Sequence, residues 1–104
     1  MDITQTTKDS IAQLFLSGRF DYQEYRIFKT AYTAALDDPV ITTVDVDFSG
    51  VGYIDSSALG MLLKLREEAH LRNKSVRLLY PNQAVRHIFE TAFFRKLFEV
   101  VGAQ

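Results

Sequence analysis

The sequence predicts an α/β domain built on a mixed sheet. Runs rich in β-branched and apolar residues alternate with segments of helical period, and the glycines and prolines stand mostly at the joints between them. The first two strand-like runs are separated by only a short polar turn, so the sheet opens with a hairpin before the alternation begins. The 104 residues, 47% of them hydrophobic, suit one domain spanning residues 1–104 around one core, with no linker and no internal repeat.

Ile3 to Thr7 reads as a short edge strand and Lys8-Asp9 as the turn after it. Ile11, Leu14, Phe15 and Leu16 form a more apolar strand that Ser17-Gly18 ends. Asp21, with Glu24 three residues on, has the spacing of a variant capping box. Tyr25, Phe28, Tyr32, Ala35 and Leu36 then fall on one helical face. Asp37-Asp38-Pro39 closes that helix, because proline has no N–H to donate and its ring clashes with the preceding turn. Val40 to Phe48 is β-branched and reads as a buried strand, with Ser49-Gly50-Val51-Gly52 as a turn and Tyr53-Ile54 leading into Asp55. From Ser56 to about Arg72 the period is helical again, with Ala58, Leu59, Leu62, Leu65 and Ala69 as the stripe. Val76 to Tyr80 is a strand, and Pro81 suits the first turn of a third helix whose inner face is Val85, Ile88 and Phe89. Leu97 to Val101 is the last strand.

Composition removes several functions. A net charge of −1, with the basic residues scattered, argues against a nucleic-acid binder. The absence of cysteine excludes disulfides, Cys-ligated zinc and thiol chemistry. Met1 to Thr7 is polar and shows no signal peptide, and no apolar stretch reaches the ~20 residues that span a bilayer. The expected location is therefore the cytoplasm, without membrane insertion. No Gly-x-Gly-x-x-Gly, Gly-Lys-Ser/Thr or Gly-x-Ser-x-Gly is present. His70 and His87 lie on different helices without a ligand set and read as solvated or half-buried residues, so neither metal nor cofactor is expected. Asp45 and Asp47 share one strand face, as a magnesium or phospho-aspartate site requires, but the other carboxylates and the phosphate-binding lysine or serine are missing. Asp47 reads instead as a brace for the Ser49-Gly50 turn. A hydrolase built on Asp45, Asp47 and Asp55 would lack a base–nucleophile pair.

Asp55-Ser56-Ser57 differs in kind. Three small polar residues stand where a strand passes into a helix, beside the unpaired amides and partial positive charge of a helix N-terminus. Capping alone explains them, at about 1 kcal/mol. The same amides and dipole would also tolerate a phosphate on a first-turn serine, and this physics does not choose between Ser56 and Ser57.

The stretch Asp47-Phe48-Ser49-Gly50-Val51-Gly52-Tyr53-Ile54-Asp55-Ser56-Ser57-Ala58-Leu59-Gly60 resembles the signature segment of STAS domains, the anti-sigma factor antagonist family. Gly18-Arg19-Phe20-Asp21 resembles the family's Gly-x-Leu-Asp entry to its first helix, and Val76 to Phe98 is similar to its later strand, helix and Phe/Leu-Phe tail. The resemblance implies a STAS-type mixed β-sheet with helices packed mainly on one face. It also implies a partner switch with no catalysis of its own. The dephosphorylated antagonist binds an anti-sigma factor or serine kinase of the histidine-kinase-like ATPase fold. That kinase phosphorylates the second serine of Asp-Ser-Ser, here Ser57, and a PPM-type phosphatase reverses the step. Asp55 and Ser56 carry over as contact or positioning residues and Asp21 as a loop residue near the same surface. Ala58, where glycine is frequent in the family, and Met61 complete the expected partner surface. Met61 and Leu63 at the rim of the helix are either surplus apolar surface for a reversible interface or part of the core. Many antagonists of the family continue into a further C-terminal helix, whereas this sequence stops at Gln104. The alternative use of such a domain is a constitutive interaction subunit of a membrane-lipid transporter complex, docked on a transport ATPase. The intact Asp-Ser-Ser favours the switch.

Overall fold

The computed structural model describes residues 1–102. Strands β1 (Asp2–Lys8) and β2 (Ile11–Phe20) form the opening hairpin, followed by a 3-10 turn at Tyr22–Glu24 and helix α1 (Tyr25–Asp37). Strand β3 (Thr43–Ile54), helix α2 (Ser56–Leu71), strand β4 (Ser75–Leu79) and helix α3 (Gln83–Thr91) come next, and a second 3-10 turn at Phe94–Lys96 leads to strand β5 (Glu99–Val101). The sheet order is β1-β2-β3-β4-β5, antiparallel between β1 and β2 and parallel thereafter.

That order fixes the layers. Each of the three parallel connections steps to the next strand in the same direction, and a right-handed crossover made repeatedly in one direction lays its helices on one face. The expected one-sided STAS architecture is what the chain adopts. On the helix face the strands align their apolar residues in register: Ala12, Val44 and Val76 in one row, Leu14, Val46 and Leu78 in the next. Phe28, Tyr32, Ala35 and Leu36 of α1, the Ala58, Leu62, Leu65 and Ala69 stripe of α2, and Val85 and Phe89 of α3 close the core over them. Aromatic rings run through it, from Phe28 against Phe20 to Phe48, Phe89, Phe94 and Phe98, with neighbouring centroids 4.9–6.4 Å apart.

Several boundaries differ from the sequence reading. β3 starts at Thr43, not Val40, because Asp38-Pro39 begins a turn in which the Asp38 carboxylate accepts the Val40 amide at 2.9 Å. Ser49-Gly50-Val51-Gly52 is strand, not turn, and β2 likewise passes through Ser17-Gly18 to Phe20. The glycines mark a close approach: Gly50 pairs with Ser17 beside a register shift, and a Cβ on Gly50 would stand 2.7 Å from the Leu16 carbonyl oxygen. Glu24 does not close a capping box, since it pairs with the Met1 ammonium at 3.1 Å while the Asp21 side chain caps the short 3-10 turn. Tyr25, assigned to the buried face, is half-exposed. Pro81 precedes α3, whose cap is Asn82, accepting from the Val85 amide at 2.8 Å. The last strand starts two residues later than Leu97, because the Phe94–Lys96 turn first buries Phe98.

Helix-free backbone faces of β3 and β4 carry Asp45 and Arg77 opposite each other. Arg77 donates through Nε to Asp45 Oδ1 at 2.7 Å and through Nη2 to Oδ2 at 2.6 Å, while Asp45 is buried. The hydrogen bonds it donates to Asp45 raise the Arg77 pKa above its ordinary value against the opposing effect of burial. Asp47 accepts the Ser49 amide at 2.8 Å, so it does brace that segment, although the segment is extended. Both carboxylates are therefore committed to structure. Arg77→Leu should leave Asp45 buried and unpaired at a cost of about 3 kcal/mol, whereas Asp45→Asn combined with Arg77→Leu should recover at least half of the loss; urea denaturation of the two variants measures both.

Candidate functional site

β2 and β3 are adjacent and parallel, so their C-terminal ends lie side by side and the segments leaving them meet. This is the edge of an open α/β sheet where sites commonly form. Asp55 stands at the joint. Its backbone is extended, and its amide donates to the Phe20 carbonyl oxygen at 3.2 Å, continuing the pairing with β2. Its side chain then does two things. Oδ1 accepts the Ala58 amide at 2.9 Å, capping α2, and Oδ2 accepts the Tyr22 amide at 3.2 Å, holding the turn that leads into α1. Asp21 on the same turn accepts the Gln23 amide at 3.0 Å and lies 3.7 Å from Arg19, whose guanidinium sits 4.1 Å above the Tyr53 ring.

The structure brings Asp21, Asp55, Ser56, Ser57 and Met61 to one surface. Ser56 and Ser57 are exposed in the first turn of α2. Ala58 does not belong to that surface: it is fully buried, and its contribution is the amide that Asp55 caps. Met61 is only 7% exposed, so it packs largely inward, yet its remaining surface lines an open depression beside Ser57. Tyr22, Tyr25, Gly60 and Lys64 complete that lining. Gly60 has nothing within 4 Å of the place a Cβ would occupy, so the helix face between Ser57 and Lys64 is clear. Tyr22 and Tyr25, 66% and 50% exposed, put two aromatic rings in solvent next to the serine. Sequence reasoning missed both tyrosines and Lys64. The available signal was their spacing: Tyr22 follows Asp21 directly, and Lys64 lies seven residues after Ser57, two helical turns along the same face.

Beneath this surface Tyr32 of α1 donates to Glu68 of α2 at 2.7 Å, fixing the two helices that frame it. Burial, then the hydrogen bond to Glu68 and its charge, push the Tyr32 pKa above its ordinary value. Chemically the site has no machinery for attack by Ser57. No histidine or carboxylate lines the depression, and both Asp55 oxygens are occupied by backbone amides. His70 and His87 are exposed on separate helices, and among the described residues no group of three His, Cys, Asp or Glu side chains could hold a metal ion. No helix among those residues is long and apolar enough to cross a membrane. Ser57 is thus an accessible hydroxyl on a rigid helix start.

The chain belongs to the STAS domain family: residues 3–102 match the family described as Mlab, STAS domain. The likeness carried by Asp47 to Gly60 is borne out. A STAS-domain containing protein of Pseudomonas aeruginosa (strain UCBPP-PA14) is 36% identical over 85 residues, which cover 82% of either chain. Among solved structures, the anti-sigma factor antagonist SpoIIAA in its unphosphorylated form superposes with a TM-score of 0.75 at 18% identity, over 99% of this chain and 90% of that one. The phosphorylated form of the same Bacillus cell fate determinant gives 0.74, over 95% and 90% of the two chains at 18% identity. The STAS domain of a SulP transporter from Vibrio cholerae also gives 0.74 at 18% identity, covering 94% and 77%. These structures share the fold with this chain.

Two outcomes follow from the geometry. Asp55→Ala loses the cap and the Tyr22 tie together and should cost about 2 kcal/mol in urea denaturation. Asp55→Asn, whose single carbonyl oxygen can keep the cap but whose NH2 cannot accept the Tyr22 amide, should fall between the native chain and Asp55→Ala. Above pH about 10.0 the unfolded chain releases the Tyr32 proton while the folded chain keeps it, so the folded state binds more protons and stability falls as pH rises. Tyr32→Phe should remove that part of the alkaline loss, seen as a flatter dependence of melting temperature on pH.

Proposed function

We propose that this chain is a phosphorylation-controlled anti-sigma factor antagonist of a bacterial partner-switching system, working in the cytoplasm and without catalysis of its own. Its unphosphorylated form docks on an anti-sigma factor or serine kinase of the histidine-kinase-like ATPase fold. The docking surface is Asp21, Tyr22, Tyr25, Asp55, Ser56, Ser57 and the exposed edge of Met61. The kinase transfers a phosphoryl group to Ser57, the complex dissociates, and a PPM-type serine phosphatase restores the binding form.

The observation that carries this reading is an exposed Ser57 on a helix start whose cap is complete without it. A phosphate there adds a charge of about −1.5 to −2 close to Asp55 and the two tyrosine rings. The fold tolerates it, because the first-turn amides and helix dipole favour negative charge. An apolar partner surface does not tolerate it, because that charge must be desolvated on docking. The existence of SpoIIAA in both unphosphorylated and phosphorylated forms supports the same reading. A STAS domain of this fold also forms part of a SulP transporter, which leaves room for a second reading, a constitutive interaction subunit of a transporter complex, here a membrane-lipid transporter.

Incubation with the cognate kinase and ATP, followed by mass spectrometry, should place one phosphate on Ser57. Ser57→Asp should weaken kinase binding at least about tenfold, or 1.4 kcal/mol, while Ser57→Ala binds like the native chain. Absence of phosphate at Ser57, or equal binding by the two variants, contradicts the switch. Recovery of a transport ATPase in place of a soluble kinase from the native cell supports the second reading.

A further inference from the structure

The sheet has two edges, and they differ. β5 is only three residues long. β1 offers seven, paired with β2 from Asp2↔Ser17 to Lys8↔Ile11 without a register break. Edge strands of this length normally carry a guard against pairing with another chain, such as a proline, a bulge or a charge in mid-strand. β1 has none of these: between Asp2 and Lys8 its residues are Ile3, Thr4, Gln5, Thr6 and Thr7.

The backbone directions follow from the hairpin. A two-residue loop, Asp9-Ser10, closes on Lys8↔Ile11, so Lys8, Thr6, Thr4 and Asp2 exchange hydrogen bonds with β2. Ile3, Gln5 and Thr7 therefore direct their N–H and C=O groups outward. Two such edges laid antiparallel about Gln5 form hydrogen-bonded pairs at Gln5 with Gln5 of the second copy and at Ile3 with Thr7. The same register sets Asp2 of each copy opposite Lys8 of the other, in the pair type whose Cα atoms stand about 4.5 Å apart. Thr4 faces Thr6, another favourable cross-strand pair. Asp2 and Lys8 are both exposed and make no ion pair in the described residues of their own chain. A slip of two residues either way shortens the overlap and separates these charges.

From this complementarity we infer that β1 is a self-association surface whose occupant is a second copy of the chain, giving a continuous ten-stranded sheet with all helices on one side. Side-chain alternation is preserved across the two-fold axis, so Ile3 and Thr7 remain on the helix face and Asp2 and Lys8 on the open face. Ile27, 42% exposed, adds apolar surface on the flank of α1 that Glu24 ties to Met1. Tyr25 and Ser57 lie on the other flank of α1, towards α2, so both switch surfaces of the dimer stay open. The inference does not depend on phosphorylation of Ser57.

Sedimentation of the full chain over a micromolar to millimolar series tests it. The native chain should pass from the mass of one chain to that of two. Gln5→Pro should remain monomeric with an unchanged circular dichroism spectrum, because the N–H it removes points away from β2. Lys8→Asp opposes like charges and should weaken the dimer at least about tenfold, and Asp2→Lys with Lys8→Asp should restore it. If Gln5→Pro does not fold, the charge reversal and its rescue decide. A native chain monomeric throughout the series, or a dimer unaffected by both Gln5→Pro and Lys8→Asp, overturns the inference.

Discussion

The carboxylate of Asp55 accepts amides from two parts of the chain, Ala58 on α2 and Tyr22 on the segment entering α1. Because β2 and β3 are parallel neighbours, those segments emerge side by side, and this single side chain sets their relative position. The two serines, Tyr22 and Asp21 of the proposed docking surface depend on that constraint. Ser56 and Ser57 project from the turn it caps, Tyr22 and Asp21 from the turn it holds. The Tyr32–Glu68 hydrogen bond repeats the tie one layer below, between the bodies of the same two helices. These hydrogen bonds join the two helix entries into one continuous surface.

The topology accounts for the division of labour between the sheet's two faces. Successive crossovers in one direction place all three helices together and leave the opposite face without a covering layer. Polar residues there must satisfy one another. Asp45 and Arg77 do so through a two-pronged hydrogen bond between strands in register, and Asp47 through the backbone of its own strand. Carboxylates that on sequence alone might have served chemistry are thus occupied in holding a sheet that has nothing packed over it. The proposed docking surface, at the strand ends, is left free of that duty.

Much of this was legible in the residues. The period of Phe28, Tyr32, Ala35 and Leu36, and of Ala58, Leu62, Leu65 and Ala69, gave both long helices, because a buried helical face leaves a direct imprint on the sequence. Capping by the Asp55-Ser56-Ser57 step was legible too, but that Asp55 alone supplies it is a finding of the structure. The glycines of β2 and β3 misled: Gly50 serves a close backbone approach to Leu16, a tertiary fact that local chemistry reads as a turn. Glu24 matched a capping box by spacing, but its partner, the Met1 ammonium, lies 23 residues away. Tyr25 fell on the apolar arc by period and is half-exposed because α1 turns that edge towards the depression beside Ser57. Ala58 was placed on the partner surface by its neighbours in the motif, although the helix turn that exposes Ser57 buries the next residue. Local propensity and spacing are readable where one element decides the outcome, and unreadable where two elements meet.

In the proposed function Ser57 is dispensable to the fold and decisive for docking. A serine that helps to cap a helix is a poor switch, since modifying it would unravel the helix. Here Asp55 holds the cap, so under the proposed switch a phosphate on Ser57 would change the charge of the surface without moving it. Native-state amide hydrogen exchange on the Ser57-phosphorylated and unphosphorylated chains measures this directly. The account predicts equal protection at Ala58 and Tyr22, whose amides Asp55 holds, in the two forms. Loss of protection at those amides on phosphorylation would contradict it, showing that the switch works by melting the start of α2.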